Sequence, residues 1–390
     1  MVTIQSADNA LKSFYLDAVK ESLDKNVSPF FAAMEHKTNN VVGKDVRKSI
    51  RIGVGGGVGA GTETGDLPKN GAANRLQFVT TLKNLYGTIQ ISDKALRAAS
   101  KDEGAFVNIL NDEMESLVQN AKLNFGRMLF GDGNGCLAKV DVNHGNGVLE
   151  VFEVNNLMEG MIVDVYDADD ELVDGLYGVK INSVDRNDLM VHLDATAYSD
   201  FEANGAKIYL HESRGNELSG LAQIFDMDCP LYGIEREETN YVNPIICRNV
   251  GKIDQTFLQK IMDRAEGDYG CKINFILCSY GVKRALMSYF EEKGVVLPTV
   301  ELAGGYKAVS WNGVPIVADR FCPKGTMYML NTDDFKIHQL CDWQWLESED
   351  GKILKQVPGK PVYTATLVKY AEMICERPCG QACLSEITED

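Results

Sequence analysis

The sequence predicts an α+β protein organised around one long helix. Three observations carry that expectation. From Gly104 to Phe130, apolar residues recur every three or four positions. On either side of a Gly-rich stretch, 53–74, the repeat shortens to two. Beyond the helix, short β-type runs crowd into 137–213, and helix and strand signals then alternate through 214–332.

The helix comes first because it is the longest regular signal. Phe106, Leu110, Met114, Leu117, Ala121, Phe125 and Met128 make one apolar stripe. Glu103, Asp112, Glu113, Glu115, Lys122 and Arg127 fall mostly off it, so the expectation is an amphipathic helix. At ~1.5 Å per residue it is roughly 40 Å long, enough to act as a spine. Gly131-Asp-Gly-Asn-Gly135 should end it.

The remaining elements follow in order. Ser6 to Lys25 reads as a helix with Ser6 as N-cap and Leu11, Phe14, Tyr15, Ala18 and Leu23 near one face; Ser28-Pro29 ends it. Such an arm packs on a neighbouring subunit or on its own core. Val46, Ile50, Ile52 and Val54 alternate with polar residues, as do Leu76 and Phe78, predicting a hairpin; Tyr86 to Ile91 leads into the spine. Eight of the 22 residues in the connecting segment 53–74 are Gly, too few apolar groups to order it. A connection of that length implies a job outside its own subunit. Strands are expected at Met161–Tyr166, Val179–Val184, Leu189–Leu193 and Lys207–Leu210, with a turn at Asp185–Asp188. Their spacing suggests a small barrel or sandwich. Asp254 should cap a helix ending at Gly267, Ile273–Cys278 should be a buried strand, and a second helix should close at Gly294. Asn312-Gly313 marks a hairpin turn. Phe335 to Cys375 returns to strands, and Glu376 to Asp390 reads as a thinly structured tail.

With 390 residues, the chain calls for two to four domains. No run of 18 apolar residues exists, so no transmembrane helix and no membrane partner are expected. The first fifteen residues lack the order of a secretion signal, and ten scattered cysteines suit reduced thiols in a cytoplasm. A net charge of −17 argues against a dedicated nucleic-acid binder.

No catalytic constellation emerges, and no catalytic, cofactor-binding or metal-binding residue is assigned. Gly55, Gly57 and Ala60 satisfy G-x-G-x-x-A, but no amphipathic helix follows to supply the dipole that a nucleotide site needs. Asp167 to Glu171 resembles the start of a calcium loop, but Leu172 stands where Gly is required and Gly178 where the bidentate Glu belongs. His36, His144, His192, His211 and His338 show no metal-pair spacing. Cys375, Cys379 and Cys383 lack the Cys-x-x-Cys clamp and a fourth ligand nearby.

The order of elements, with Trp311-Asn-Gly-Val-Pro-Ile-Val-Ala-Asp319, Pro323-Lys-Gly-Thr-Met-Tyr-Met-Leu330, Tyr363-Thr-Ala-Thr-Leu-Val-Lys-Tyr370 and Tyr86-Gly-Thr-Ile-Gln-Ile-Ser-Asp93, resembles the tailed-phage major capsid proteins of the Hong Kong 97-type fold. The resemblance covers most of the chain outside 137–213. It implies an N-terminal arm (1–42), an extended loop (43–91, tip 53–74), a peripheral domain (92–136 and 333–376, spine helix 104–130), an inserted β-barrel-like domain (137–213), an axial α/β domain (214–332) and a C-terminal tail (377–390). It further implies a non-enzymatic subunit of the phage head in the virion, assembled in the bacterial cytoplasm. Its expected partners are other copies of itself in hexamers and pentamers, a portal protein and packaged double-stranded DNA. The chain begins at the arm without a long helical segment before it, which points to a separate scaffolding protein; the inserted domain suggests a decoration partner. Some relatives weld subunits through Lys–Asn bonds. Lys69 lies near the tip, but the partner Asn and catalytic Glu find no match here, so no crosslink is expected. The alternatives are an encapsulin-like nanocompartment shell and, more distantly, an oligomeric nucleotide-binding enzyme.

Overall fold

The computed structural model describes residues 11–38, 40–53, 57–66, 68–69, 71, 74–94, 103–195, 198, 201–302 and 305–389; for 13, 14, 24–26 and 103–109 it describes the backbone alone. The spine helix runs Glu103–Met128. Leu110, Met114, Leu117, Ala121, Phe125 and Met128 are all buried along one side, as the periodicity predicts; the Phe106 side chain lies outside the described residues. The helix ends two residues earlier than expected, where the Phe130 and Gly131 N–H groups turn back onto the Arg127 and Met128 carbonyls.

The stripe is covered by a five-stranded sheet of Glu35–Lys37, Lys83–Ser92, Phe335–Trp345, Lys355–Gln356 and Val362–Cys375. Val362–Cys375 is the hub, pairing antiparallel with Lys83–Ser92 from Val362↔Ser92 to Ala371↔Lys83 and with Phe335–Trp345 on its other edge. Leu85, Ile89, Ile91, Trp343, Trp345, Ala365 and Leu367 point at the helix. Phe125 lies on Trp343 with ring centroids 4.8 Å apart. Gly87 faces Leu117, and a Cβ there would stand 2.8 Å from its Cδ1, so helix and strand approach as closely as glycine allows.

The expected first helix is split. A π-helical turn, Leu11–Tyr15, precedes the helix Leu16–Asn26, and the predicted cap Ser6 and the Phe14 side chain lie outside the described residues. Leu11, Val19 and Leu23 are buried in the spine core, and the Trp345 indole N–H donates to the Leu11 carbonyl at 3.1 Å. Within the described residues this arm is docked on its own chain. Ser28 both follows that helix and opens another, Pro29–Ala33, its hydroxyl accepting from the Phe30 and Phe31 N–H groups.

Cys136–Gly145, Val148–Val151, Ile162–Tyr166, Val179–Asp185, Met190–Leu193 and Lys207–Leu210 close into a six-stranded barrel around Val140, Leu149, Val163, Val165, Ile181, Val191 and Ile208. The first hairpin, 136–151, is missing from the sequence expectations because its Asp-Val-Asn-His-Gly stretch hides the alternation. The Asp185 turn is as expected: its carboxylate accepts from the Asn187 and Asp188 N–H groups.

A seven-stranded mixed sheet runs Ile245–Cys247, Ala382–Leu384, Met327–Leu330, Phe275–Cys278, Val314–Ala318, Lys307–Trp311, Thr299–Glu301. Helices Gln255–Tyr269 and Tyr280–Glu292 pack on it, capped by Asp254 and Ser279. The first passes the expected stop at Gly267 and ends at Gly270, whose φ of 61° supplies the left-handed residue. Asn312 and Gly313 both take positive φ, 49° and 80°, the mirror-image turn that matches strand twist.

The tail corrects the sequence reading. Instead of hanging free, Ala382–Leu384 is an interior strand of the seven-stranded sheet, parallel to Ile245–Cys247 and antiparallel to Met327–Leu330. Gln381, Ala382 and Leu384 are fully buried and Ile387 nearly so. A three-residue apolar run is too short to show a period, so only the vacancy between its neighbours reveals its role.

Phe125→Ala should cost about 3–5 kcal/mol, since it empties the contact between helix and sheet. Urea unfolding of the purified variant measures this, and a loss below about 1 kcal/mol would contradict the packing described.

Candidate functional site

The hairpin that should reach outside its own subunit is built from Asp45–Ile52 and Asn74–Thr81, paired from Asp45↔Thr81 to Ile52↔Asn74. Its root is held firmly. Val46 and Phe78 are fully buried, and the Phe78 ring lies 5.1 Å from that of Tyr232. The Val79 N–H donates to the Tyr232 carbonyl at 3.0 Å, and the Tyr232 hydroxyl accepts the Cys375 N–H at 2.9 Å. Tyr232 therefore joins the hairpin to the hub strand. Burial pushes its phenol well above the ordinary value, leaving it neutral.

Arg236 shapes the loop that presents Tyr232. Its guanidinium donates to the carbonyls of Cys229, Gln223, Ile224, Asp226 and Val242. A fixed fork of five donors suits this closure as few side chains can. The described tip, 57–66 and 68–69, is exposed throughout, with Val58 97% accessible. Rigid root and exposed tip suit a lever that engages another surface.

The spine helix terminates in a second ordered cluster. Arg127, almost fully buried, grips Glu217 through two parallel bonds of 2.8 and 2.5 Å. Two residues on, the Ser219 N–H donates to Glu372 of the hub strand at 2.9 Å, as does the Met373 N–H at 3.0 Å. Glu372 is fully buried, and its Oε2 has no hydrogen-bond partner among the described residues. Burial raises its carboxyl to about 7. Neither pair shows in the sequence: Arg127 and Glu217 are 90 residues apart, and Glu372 sits in an ordinary strand pattern.

Among the described residues, none of the weighed chemical motifs gathers into a site. Gly55 lies outside the described residues, and Gly57 and Ala60 sit on exposed backbone, with no helix among the described residues between them and Asp93. The acidic turn is closed on itself, with Asp167 accepting the Asp169 and Glu171 N–H groups and Asp170 paired with Lys207 and Arg214. Cys375, Cys379 and Cys383 are buried, and burial pushes Cys379 to about 11, Cys383 to about 12 and Cys375 well above the ordinary thiol value. Such thiols are poor metal ligands and nucleophiles. His144 meets Glu150, His211 meets Asp164, His36 abuts Phe31, and His338 is interior. Among the described residues no group of three metal-ligating side chains converges.

No protein-family model matches the sequence, and no curated protein matches it. The structure, however, is similar to the cyanophage A-1(L) capsid asymmetric unit, with a TM-score of 0.52, 11% identity and 93% of each chain covered. The fold is of the Hong Kong 97 type. It is also similar to the SrpI encapsulin from Synechococcus elongatus PCC 7942, at a TM-score of 0.50 and 9% identity over 93% of this chain and 89% of that one. At such identities the likeness of this shell-type fold is one of architecture. No described helix is long and apolar enough to cross a membrane.

The Glu372 carboxyl gives a pH dependence of known sign. Its ordinary value is 4.5 and its folded value about 7, so the fold favours the protonated form. The stability that this group contributes is complete below about 4.5 and is lost as pH rises through 7, by on the order of 3 kcal/mol. Urea midpoints between pH 5 and 8 should fall more steeply for the natural protein than for Glu372→Gln; parallel curves would contradict it.

Proposed function

We propose that this chain is the major capsid protein of a tailed phage, a structural subunit that assembles with copies of itself into hexamers and pentamers of an icosahedral head around double-stranded DNA. The observation that carries the reading is the hairpin. It is anchored by buried Phe78 and Val46 yet sends an exposed Gly-rich tip away from its own core. One chain building both six- and five-fold rings must meet its neighbours at slightly different angles, and a firm root with a compliant tip supplies that tolerance. The shared fold with a cyanophage capsid subunit supports the same conclusion. In this reading the barrel is an insertion that projects from the shell and serves a decoration partner, while portal and scaffolding proteins join during assembly.

A nanocompartment shell is the second reading, favoured by the likeness to an encapsulin. The contents distinguish them: nucleic acid for a phage head, a cargo protein for a compartment. The barrel and the Gly-rich tip favour the phage.

Electron microscopy and light scattering of the purified chain, alone and with its scaffold, should show closed shells or ring-shaped capsomers. A fixed dimer or tetramer under both conditions would sink the proposal. Replacing 53–73 by a two-residue Asn-Gly turn keeps the register Ile52↔Asn74. That variant should keep the unassembled subunit's melting temperature and lose assembly; shells of normal size would remove the hairpin from the mechanism.

A further inference from the structure

A cleft of about 400 Å³ opens between the barrel and the seven-stranded sheet. One wall is the barrel's 152–155 and 186–189 segments; the other is the start of helix Tyr280–Glu292 and the loop 320–324. Its charge runs against the rest of the molecule. Arg186, Arg284, Arg320 and Lys324 line it beside Glu153 and Glu389, with Arg186 paired to Glu159 at 3.2 Å just outside the lining, whereas the chain as a whole carries −17. All four cations are exposed. Two large aromatics, Phe152 and Tyr280, stand at the cleft with 55% and 56% of their surface accessible, unusual for side chains of that size.

The floor already holds a carboxylate. Glu389 Oε1 accepts the Gly325 N–H at 2.7 Å and the hydroxyl proton of Ser279, the buried cap of the helix. Its head lies against Gly281, where an added Cβ would stand 2.3 Å from Glu389 Oε2. A carboxylate reaching the first turn of a helix is stabilised by the free N–H groups and the dipole. The outer cleft, with its row of cations, remains open above it.

We propose that this cleft is a docking site for an extended acidic segment of a partner protein, its carboxylates meeting Arg284, Arg320 and Lys324 and its apolar side chains resting on Phe152 and Tyr280. Basic clusters that read acidic motifs work in this way. Duplex DNA fits less well. It presents a charge about every 1.7 Å of axis, and Glu153 and Glu389 interrupt the cation row where a continuous phosphate track would be repelled. A peptide can space its carboxylates around those two groups. The inference does not depend on the capsid reading, because it concerns one subunit's surface.

The test uses fluorescein-labelled decaglutamate and the folded, full-length chain, with fluorescence anisotropy as the readout. Binding should weaken with added salt and fall at least tenfold in Arg320→Glu/Lys324→Glu, while Lys260→Glu, exposed on helix Gln255–Tyr269 and not part of the cleft lining, leaves it unchanged. If the double variant fails to fold, Lys324→Ala carries the same comparison with a smaller, two- to five-fold loss. Equal weakening by Lys260→Glu would reduce the effect to diffuse charge and overturn the proposal. Tighter binding of a 20-base-pair duplex than of decaglutamate would overturn it in favour of a nucleic-acid surface. No binding of either probe would also overturn it.

Discussion

Most of this fold depends on covering one apolar stripe. A helix of 26 residues is roughly 39 Å long at ~1.5 Å per residue. Hiding its length from water takes several partners: Leu85, Ile89 and Ile91 of the strand before it, Leu11, Val19 and Leu23 of the arm, and Trp343, Trp345, Ala365 and Leu367 from near the end of the chain. Because those last four come from the end of the chain and the helix from the first third, their packing closes the molecule on itself. The connecting segments must then fold as outgrowths: the barrel at the C-terminal end of the helix, the mixed sheet beyond it, and the hairpin before it.

Polar groups determine how those outgrowths are oriented. Arg127 and Glu217 fix the direction in which the chain leaves the spine. Their burial makes the pair weak evidence for stability, since desolvation offsets much of the attraction, but a strong constraint on geometry. Glu372 adds a second tie at the same junction through the Ser219 N–H. Arg236 and Tyr232 do for the hairpin root what Arg127 does for the barrel. The hairpin is thus buried at its root and exposed along its described tip.

Local structure accounts for the motifs that do not gather among the described residues. Of the three late cysteines, Cys375 and Cys383 lie on strands of two different sheets and Cys379 on the short turn Pro378–Gly380, and burial raises all three thiols. The acidic turn spends its carboxylates on its own backbone N–H groups and on Lys207 and Arg214. The cluster of cations at the cleft beside Tyr280 is assembled from separate stretches of chain and is invisible in any one of them.

The spine, the hairpin strands and the Asn312-Gly313 turn were legible in the sequence. Their signals are local: a stripe of period 3.6, an alternation of two, and a residue pair tolerant of positive φ. The six-stranded closure of the barrel, the interior place of Ala382–Leu384 and the Arg127–Glu217 grip were not legible, because each depends on groups tens to hundreds of residues apart. The reach of the Gly-rich tip belongs to both. Its glycines by themselves determined that it would not pack into a core, while only the tertiary structure, by burying Phe78 against Tyr232, decided where the lever is hinged. Local periodicity specifies elements; the burial of their apolar faces and the pairing of their charges specify how they meet.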